Sequence, residues 1–389
     1  MAMSSIAAAS RPSPGAGIGA LVAEAKRGDE HRIQLDAIRA MAVILVMVQH
    51  FDPGTIHWIE LGFAGVRVFF VLSGFLITGI LLRARQMAEI DRVSKWRVLR
   101  NFYARRFLRI FPVYYLVILL TWLAGIGPMR ESVGWHLSYL SNIYFFKRGT
   151  GNFSVTHLWS LAVEEQFYLL WPLLILFLPR KSLVGAIVSA ICIGPLFRAG
   201  IVLRGGNAWQ ASVLMPACLD ALGMGALVAV LTFIGRDKFK RRLLNASLLL
   251  GVALYIGVAV AVHFSHAAAW TVPYGVSVAL WSAWLIDGAY SGFGGTMGKV
   301  LSFKPAVYLG TISYGVYLIH NFVPDVVNGL FGFTPAHELP MPIRPIIMFL
   351  VTVFLASVSW YGFERPINAL KRFFPYRPSA AAAATAAAE

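Results

Sequence analysis

Charge and cysteine are scarce in this 389-residue chain. Only 13% of its residues are Asp, Glu, Lys or Arg, too few to cover a soluble domain of this size with a wet surface. Two cysteines, Cys192 and Cys218, exclude a disulfide framework or a cysteine-rich zinc site. Both lie in apolar segments, where buried thiols are the expectation. No grouping of His, Cys, Asp and Glu has metal-ligand spacing, so no metal is expected. A Gly-rich phosphate loop after a strand and a serine nucleophile elbow are also missing. No stretch of soluble-domain size separates the apolar runs, and no internal repeat points to the paired halves of a transporter.

What the chain does have is hydrophobicity, at 58% of residues with a mean hydropathy of +0.67. This predicts an all-α, polytopic membrane helix bundle. Ten segments have about the length needed to cross roughly 30 Å of hydrocarbon. They are 33–51, 61–82, 107–126, 157–178, 182–199, 211–234, 243–263, 268–287, 306–323 and 343–363. Residues 1–32 read as a disordered tail without the apolar core of a signal peptide, 33–367 as the membrane domain and 368–389 as a low-complexity tail. The net charge of +16 would suggest nucleic acid in a soluble protein. Here most of the 34 Lys and Arg fall in alternate loops, including the run from Arg83 to Arg109. That is the positive-inside pattern. It puts both termini in the cytoplasm of a multi-pass protein of the inner (plasma) membrane, surrounded by lipid and with no nucleic-acid partner.

Polar groups inside these spans are costly and therefore informative. "RAMAVILVMVQH" carries Arg39 and His50 eleven residues apart, which is about 20° beyond three full turns. The two share one helical face about 16 Å apart, and Asp36 belongs to the same stripe. Either these groups anchor the helix at the two interfaces, or they form a polar seam ending in an imidazole able to handle protons. "HLWSLAVEEQFYLLWP" puts Glu164 and Glu165 in another span. His157, Ser160, Glu164, Tyr168 and Trp171 share a face, from which Glu165 points about 100° away. Glu164 must then be paired with an arginine, protonated or turned to a wet cavity. In "SYGVYLIH", Tyr317 and His320 lie on nearly one face, as a packing pair or as a second proton-handling site. "GVRVFFVLSGFLIT" adds Arg67 near one end, with Ser73 and Gly74 read as packing residues.

"LDAIRAMAVILVMVQH", "GVRVFFVLSGFLIT", "FYARRFLRIFPVYY", "HLWSLAVEEQFYLLWP", "YLGTISYGVYLIH" and "FERP" follow one another across residues 35–366. Together they resemble the acyltransferase-3 family of integral membrane O-acyltransferases. The resemblance implies transfer of an acyl group, commonly acetyl, from cytoplasmic acyl-CoA to a hydroxyl of a carbohydrate, a glycoconjugate or, in some members, a macrolide. It assigns Arg39 and His50 to the family's Arg–His pair and Glu164 to its Trp-Ser-Leu motif as catalytic positions. Arg106 and Arg109 fall on its Arg-x-x-Arg pattern, and with Arg105 they become candidates for holding acyl-CoA. Asp36, Tyr168, Asp220 and His320 are further polar candidates. The chain departs from the pattern at Ala37, where family members often have Gly, and at Cys218, where they often have Arg.

The chemistry suits these positions independently of the resemblance. A hydroxyl becomes a good nucleophile only when a base removes its proton, and His is the side chain best matched to that task near neutral pH. Arginines on the cytoplasmic side suit the phosphates of acyl-CoA, although the same cluster would serve as an ordinary topology signal. A secondary transporter of a polar solute or glycan precursor would also bury His, Glu and Arg. Flux without an acyl product would distinguish it, and a non-catalytic scaffold would tolerate loss of His50.

Overall fold

The computed structural model describes residues 18–51, 60–151, 153–265, 267–331 and 343–376, and among them every regular element is helical. Of the two expected tails, residues 1–17 and 377–389 lie outside the described residues. The chain opens with α1 (Ile18–Phe51), α2 (Leu61–Ile90) and α3 (Lys95–Ala124), followed by the short α4 (Met129–Leu137) and α5 (Ser141–Arg148). Then come α6 (Leu158–Phe177), α7 (Arg180–Leu203), the single turn α8 (Gln210–Val213), α9 (Met215–Ile234), α10 (Asp237–Phe264) and α11 (Thr271–Ser291). Four short helices follow, α12 (Gly295–Leu301), α13 (Lys304–Thr311), α14 (Ser313–Ile319) and α15 (Val323–Phe331). The last elements are α16 (Ile343–Ser359) and α17 (Arg365–Ala369), joined by a π-helical turn at Trp360–Glu364.

Nine helices among the described residues are long and apolar enough to cross a membrane. The segment expected at 306–323 is not one of them. It is broken into α13, α14 and a 3₁₀ turn at His320–Phe322. The pieces nevertheless run beside α1. At the α13 end, Gly310 lies so close to α1 that a Cβ there would sit 1.8 Å from the Asp36 carbonyl oxygen. Ten residues later His320 meets His50. The segment therefore runs along α1, but not as one continuous helix.

The third expected span, 107–126, falls almost wholly within a longer helix. α3 begins at Lys95, not 107, because Ser94 caps it by accepting from the Trp96 amide. Its basic first half had masked the helix from a hydropathy reading. It ends at Gly125, whose φ of 67° supplies the left-handed C-cap.

α2 forms the centre of the bundle and packs backbone to backbone on two neighbours. A Cβ at Gly74 would lie 1.9 Å from the Leu222 carbonyl oxygen, and one at Gly225 would lie 1.9 Å from that of Val71. On the other side Gly65 meets the Ala42 carbonyl of α1. Only glycine permits this approach, which replaces the hydrophobic drive that lipid cannot provide with close van der Waals contact. The outer helices turn apolar side chains outward, with Leu196 of α7, Leu249 of α10 and Phe354 of α16 all exposed. That surface suits hydrocarbon and would be a liability in water.

Candidate active site

Four helices around α2 bring the widely separated polar residues of the sequence together. A cavity of about 150 Å³ is lined by Arg39 of α1, Ser73 of α2, Arg106 and Arg109 of α3, Ser160, Glu164 and Tyr168 of α6, and Tyr317 of α14. Asp36 pairs with Arg39 one turn back on the same helix. Among the described residues no salt bridge reaches Glu164, Arg106 or Arg109. Ser73 instead donates to Glu164 Oε1 over 2.7 Å and lies 3.0 Å from the Tyr168 hydroxyl. Arg106 sits over the Tyr168 ring at 5.2 Å and Arg109 over the Trp360 ring at 5.3 Å. Three guanidinium groups and one carboxylate thus line the cavity, and among the described residues neither Arg106 nor Arg109 makes a direct salt bridge. Such an excess of planar donors fits an anionic ligand.

His50 lies in a second, smaller cavity of about 80 Å³ that includes Glu60, His157 and Trp209. Val66 and Tyr317 line both cavities and form the partition between them. The Tyr317 hydroxyl lies 2.6 Å from Ser160 Oγ and donates to the His157 carbonyl at 3.2 Å. Three histidines meet on the far side of this partition. His50 Nδ1 is 3.0 Å from the Val46 carbonyl oxygen and 3.2 Å from His320 Nε2, while His320 Nδ1 is 2.6 Å from the Tyr317 carbonyl oxygen. Carbonyls only accept, so both Nδ1 atoms carry the proton and His320 Nε2 accepts from His50. Among the described residues no hydrogen bond reaches His50 Nε2, and His50 is exposed. The buried His157 donates from Nε2 to the Leu318 carbonyl at 3.0 Å, and its Nδ1 has no partner among the described residues.

The remaining candidates divide between two other places. Asp220 is buried between Arg67 at 2.5 Å and Arg198 at 2.7 Å, away from both cavities. Arg105 points to the end of the chain, donating to the Lys371 and Phe374 carbonyls and stacking on Tyr376. Glu364 of the "FERP" string sits buried in the π-turn, where Ser359 donates to it, and it abuts Gly315 of α14. Sequence reading missed the contact of His157 with His320 and the link from Ser73 to Glu164. Ser73 had read as a packing residue because its partner is 91 positions away. Glu60 was missed as well. It lies just before α2, outside the spans, and partial burial at the cavity mouth raises its carboxyl above the usual range.

An acyltransferase-domain family model matches residues 32–361. The O-acetyltransferase OatA of Staphylococcus aureus is 27% identical over 356 residues, covering 86% of this chain and 57% of that protein. A putative peptidoglycan O-acetyltransferase of Bacillus subtilis, YrhL, is 28% identical over 372 residues, with 86% and 54% covered. The peptidoglycan O-acetyltransferase OatA of Listeria monocytogenes is 28% identical over 385 residues, with 86% and 55% covered. The chain thus spans about half the length of the curated relatives it matches. No solved structure matches it.

Proposed function

Because this chain belongs to the acyltransferase-3 family, we propose that it takes an acetyl group from cytoplasmic acyl-CoA and delivers it to a hydroxyl of a cell-wall glycan across the membrane. The observation that carries this reading is the pair of neighbouring cavities that share Val66 and Tyr317, one lined by Arg39, Arg106 and Arg109, the other by His50. The arginine cavity is lined by Arg106 and Arg109 of α3, whose basic first half the positive-inside pattern assigns to the cytoplasm, where acyl-CoA resides. Arg106 and Arg109 hold phosphate or the thioester end of the donor. Arg105 supports the site by fixing the C-terminal segment. The names of two relatives point to peptidoglycan as the acceptor.

In this reading the acceptor hydroxyl reaches His50 from the other side. His50 Nε2 takes its proton while the hydroxyl oxygen attacks the acyl carbonyl carbon. The carbon–sulfur bond breaks, and the proton passes on to the departing thiolate. As imidazolium, His50 keeps its Nδ1 proton on the Val46 carbonyl and His320, so its ring orientation is held through the cycle. Glu164 is held by Ser73 and Tyr168 beside the arginines, where it sets the charge of the donor cavity.

The test uses the purified full chain in lipid nanodiscs with labelled acetyl-CoA and peptidoglycan fragments. His50→Gln keeps hydrogen bonding but cannot serve as the base, so transfer should fall about 10²- to 10⁴-fold with donor binding retained. Arg106→Ala and Arg109→Ala should each weaken donor binding by about 1.5–3 kcal/mol, the usual worth of a charge-assisted contact. A His50→Gln enzyme that keeps most of its turnover refutes the base role. Solute flux without acyl product refutes the whole reading.

A further inference from the structure

Beside the His50 cavity lies a larger chamber of about 380 Å³, which the reaction above does not use. Both share Glu60, Phe63, Trp159 and Trp209, so a ligand in one is adjacent to the other. The sizes are complementary. At about 80 Å³ the smaller cavity falls short of the size of a small-organic-ligand site, so it admits only the end of a ligand seated beside it. The larger chamber is of the size that holds small organic ligands, about 300–1,000 Å³.

Its walls are aromatic and fixed. Phe63 lies 5.8 Å from both Trp159 and Trp209, and Tyr255 lies 5.7 Å from Tyr274. Trp209 rests on Gly151, where a Cβ would collide with its ring at 2.5 Å. Tyr274 donates to the Glu60 carbonyl at 2.5 Å. The indole Nε1 atoms of Trp209 and Trp270 and the Nε of Arg198 are buried without a hydrogen-bond partner among the described residues. Indole N–H groups normally find a partner when buried. Arg198, 1% exposed, lines the chamber with Arg67. Aromatic faces alone would suit a lipid chain, but the side chains of Arg67, Arg198 and Glu60 among the lining residues ask for a ligand that is apolar on its faces and carries oxygen at its edge. A pyranose ring has that character, and N-acyl groups add carbonyl oxygens that suit a cationic wall.

We propose that this chamber is an acceptor subsite. It holds a pyranose ring of an N-acylated aminosugar chain so that the hydroxyl to be acylated enters the His50 cavity. This rests on the acyltransferase reading given above. The experiment follows chitotriose binding to the full chain in nanodiscs by saturation-transfer NMR, alongside acetyl-CoA affinity and the acceptor KM in the transfer assay. Trp270→Phe leaves a smaller aromatic face, and should raise the chitotriose Kd and the acceptor KM about 2- to 10-fold. Trp270→Ala removes the platform and should raise both by more, with acetyl-CoA affinity retained as evidence of folding. Cellotriose, which lacks N-acyl groups, should bind more weakly than chitotriose. If the wild type transfers acetyl groups while both Trp270 variants keep their chitotriose Kd and acceptor KM, the subsite is refuted and the acyltransferase reading stands. If chitotriose binds in a Trp270-dependent way but no acetyl group is transferred, the acyltransferase reading fails and the chamber stands as a sugar site. Absence of chitotriose binding to the wild type overturns the subsite.

Discussion

Replacing Asp220 with Asn tests how the bundle tolerates its most deeply buried charges. The carboxylate accepts from Arg67 Nη2 at 2.5 Å and Arg198 Nη2 at 2.7 Å, and the three side chains are 1–6% exposed. Arg198 also donates to the Ala217 carbonyl and Arg67 to that of Gly275, so neither guanidinium can leave without breaking backbone contacts. Asn keeps the shape and removes the only carboxylate that, among the described residues, forms a salt bridge with the two guanidiniums. Breaking a buried pair in this way costs about 3–5 kcal/mol, and each 1.4 kcal/mol is tenfold in an equilibrium. Cys218 provides the readout. It is buried two positions away, whereas Cys192 is exposed. In a Cys192→Ser background, a thiol reagent can reach Cys218 only when α9 opens. Asp220→Asn should therefore speed labelling about 100-fold to a few thousand-fold. Adding Arg67→Met and Arg198→Met removes the stranded charges and should restore most of the protection. A change below about tenfold, or no recovery in the triple variant, refutes the argument that charge compensation holds this contact.

Outside the spans, His136 of α4 is buried between Ser132 Oγ at 2.9 Å and Ser141 Oγ at 2.7 Å, and burial pushes its pKa down to about 4. In the unfolded chain it takes up a proton near pH 6.5, and in the folded chain only near 4. Stability should thus fall as pH drops from 6.5 to 4, by about 3 kcal/mol in all. A His136→Gln variant should lack that part of the slope in thermal unfolding from pH 7 to pH 4.5, and an equally steep fall refutes the assignment. For orientation, Arg97→Cys and Lys147→Cys in the same Cys192→Ser background place thiols at exposed positions near the start of α3 and the end of α5. An impermeant maleimide added to whole cells should label position 147 and spare 97. Labelling of 97 refutes cytoplasmic termini.

The helical bundle could be read from the sequence because crossing hydrocarbon leaves few ways to satisfy backbone groups, and the apolar runs had the right length. Arg39, Glu164 and Tyr168 could be read as one stripe each, since helical periodicity is local. Their meeting in one cavity with Arg106 and Arg109 was legible only through the family resemblance, because it depends on how α1, α3 and α6 pack around α2. Gly74 had been read as a packing residue, and its contact with Leu222 agrees with that. Arg67, Asp220 and Arg198 could not be linked from sequence. Asp220 is 153 positions from Arg67, and a charge clamp of this kind leaves no periodic trace. The broken segment escaped for the opposite reason. A hydropathy window averages over 306–323 and cannot register a change of helix direction at Ile312.

That break is where the chemistry gathers. Irregular backbone at membrane depth survives only where protein buries it or where it lines a cavity, and α14 with its 3₁₀ turn meets both conditions. Tyr317 projects to Ser160 and the His157 carbonyl, forming the partition between the cavities, while His320 three residues on accepts from His50. The Tyr317 carbonyl in turn accepts from His320 Nδ1, which fixes the tautomer of the ring that fixes His50. The partition and the support of the proposed base are therefore one structural unit. In the proposed reaction a shift of α14 along α1 would widen the passage and release His50 together, so the proposed acyl path and the orientation of the proposed base would depend on the same few backbone contacts.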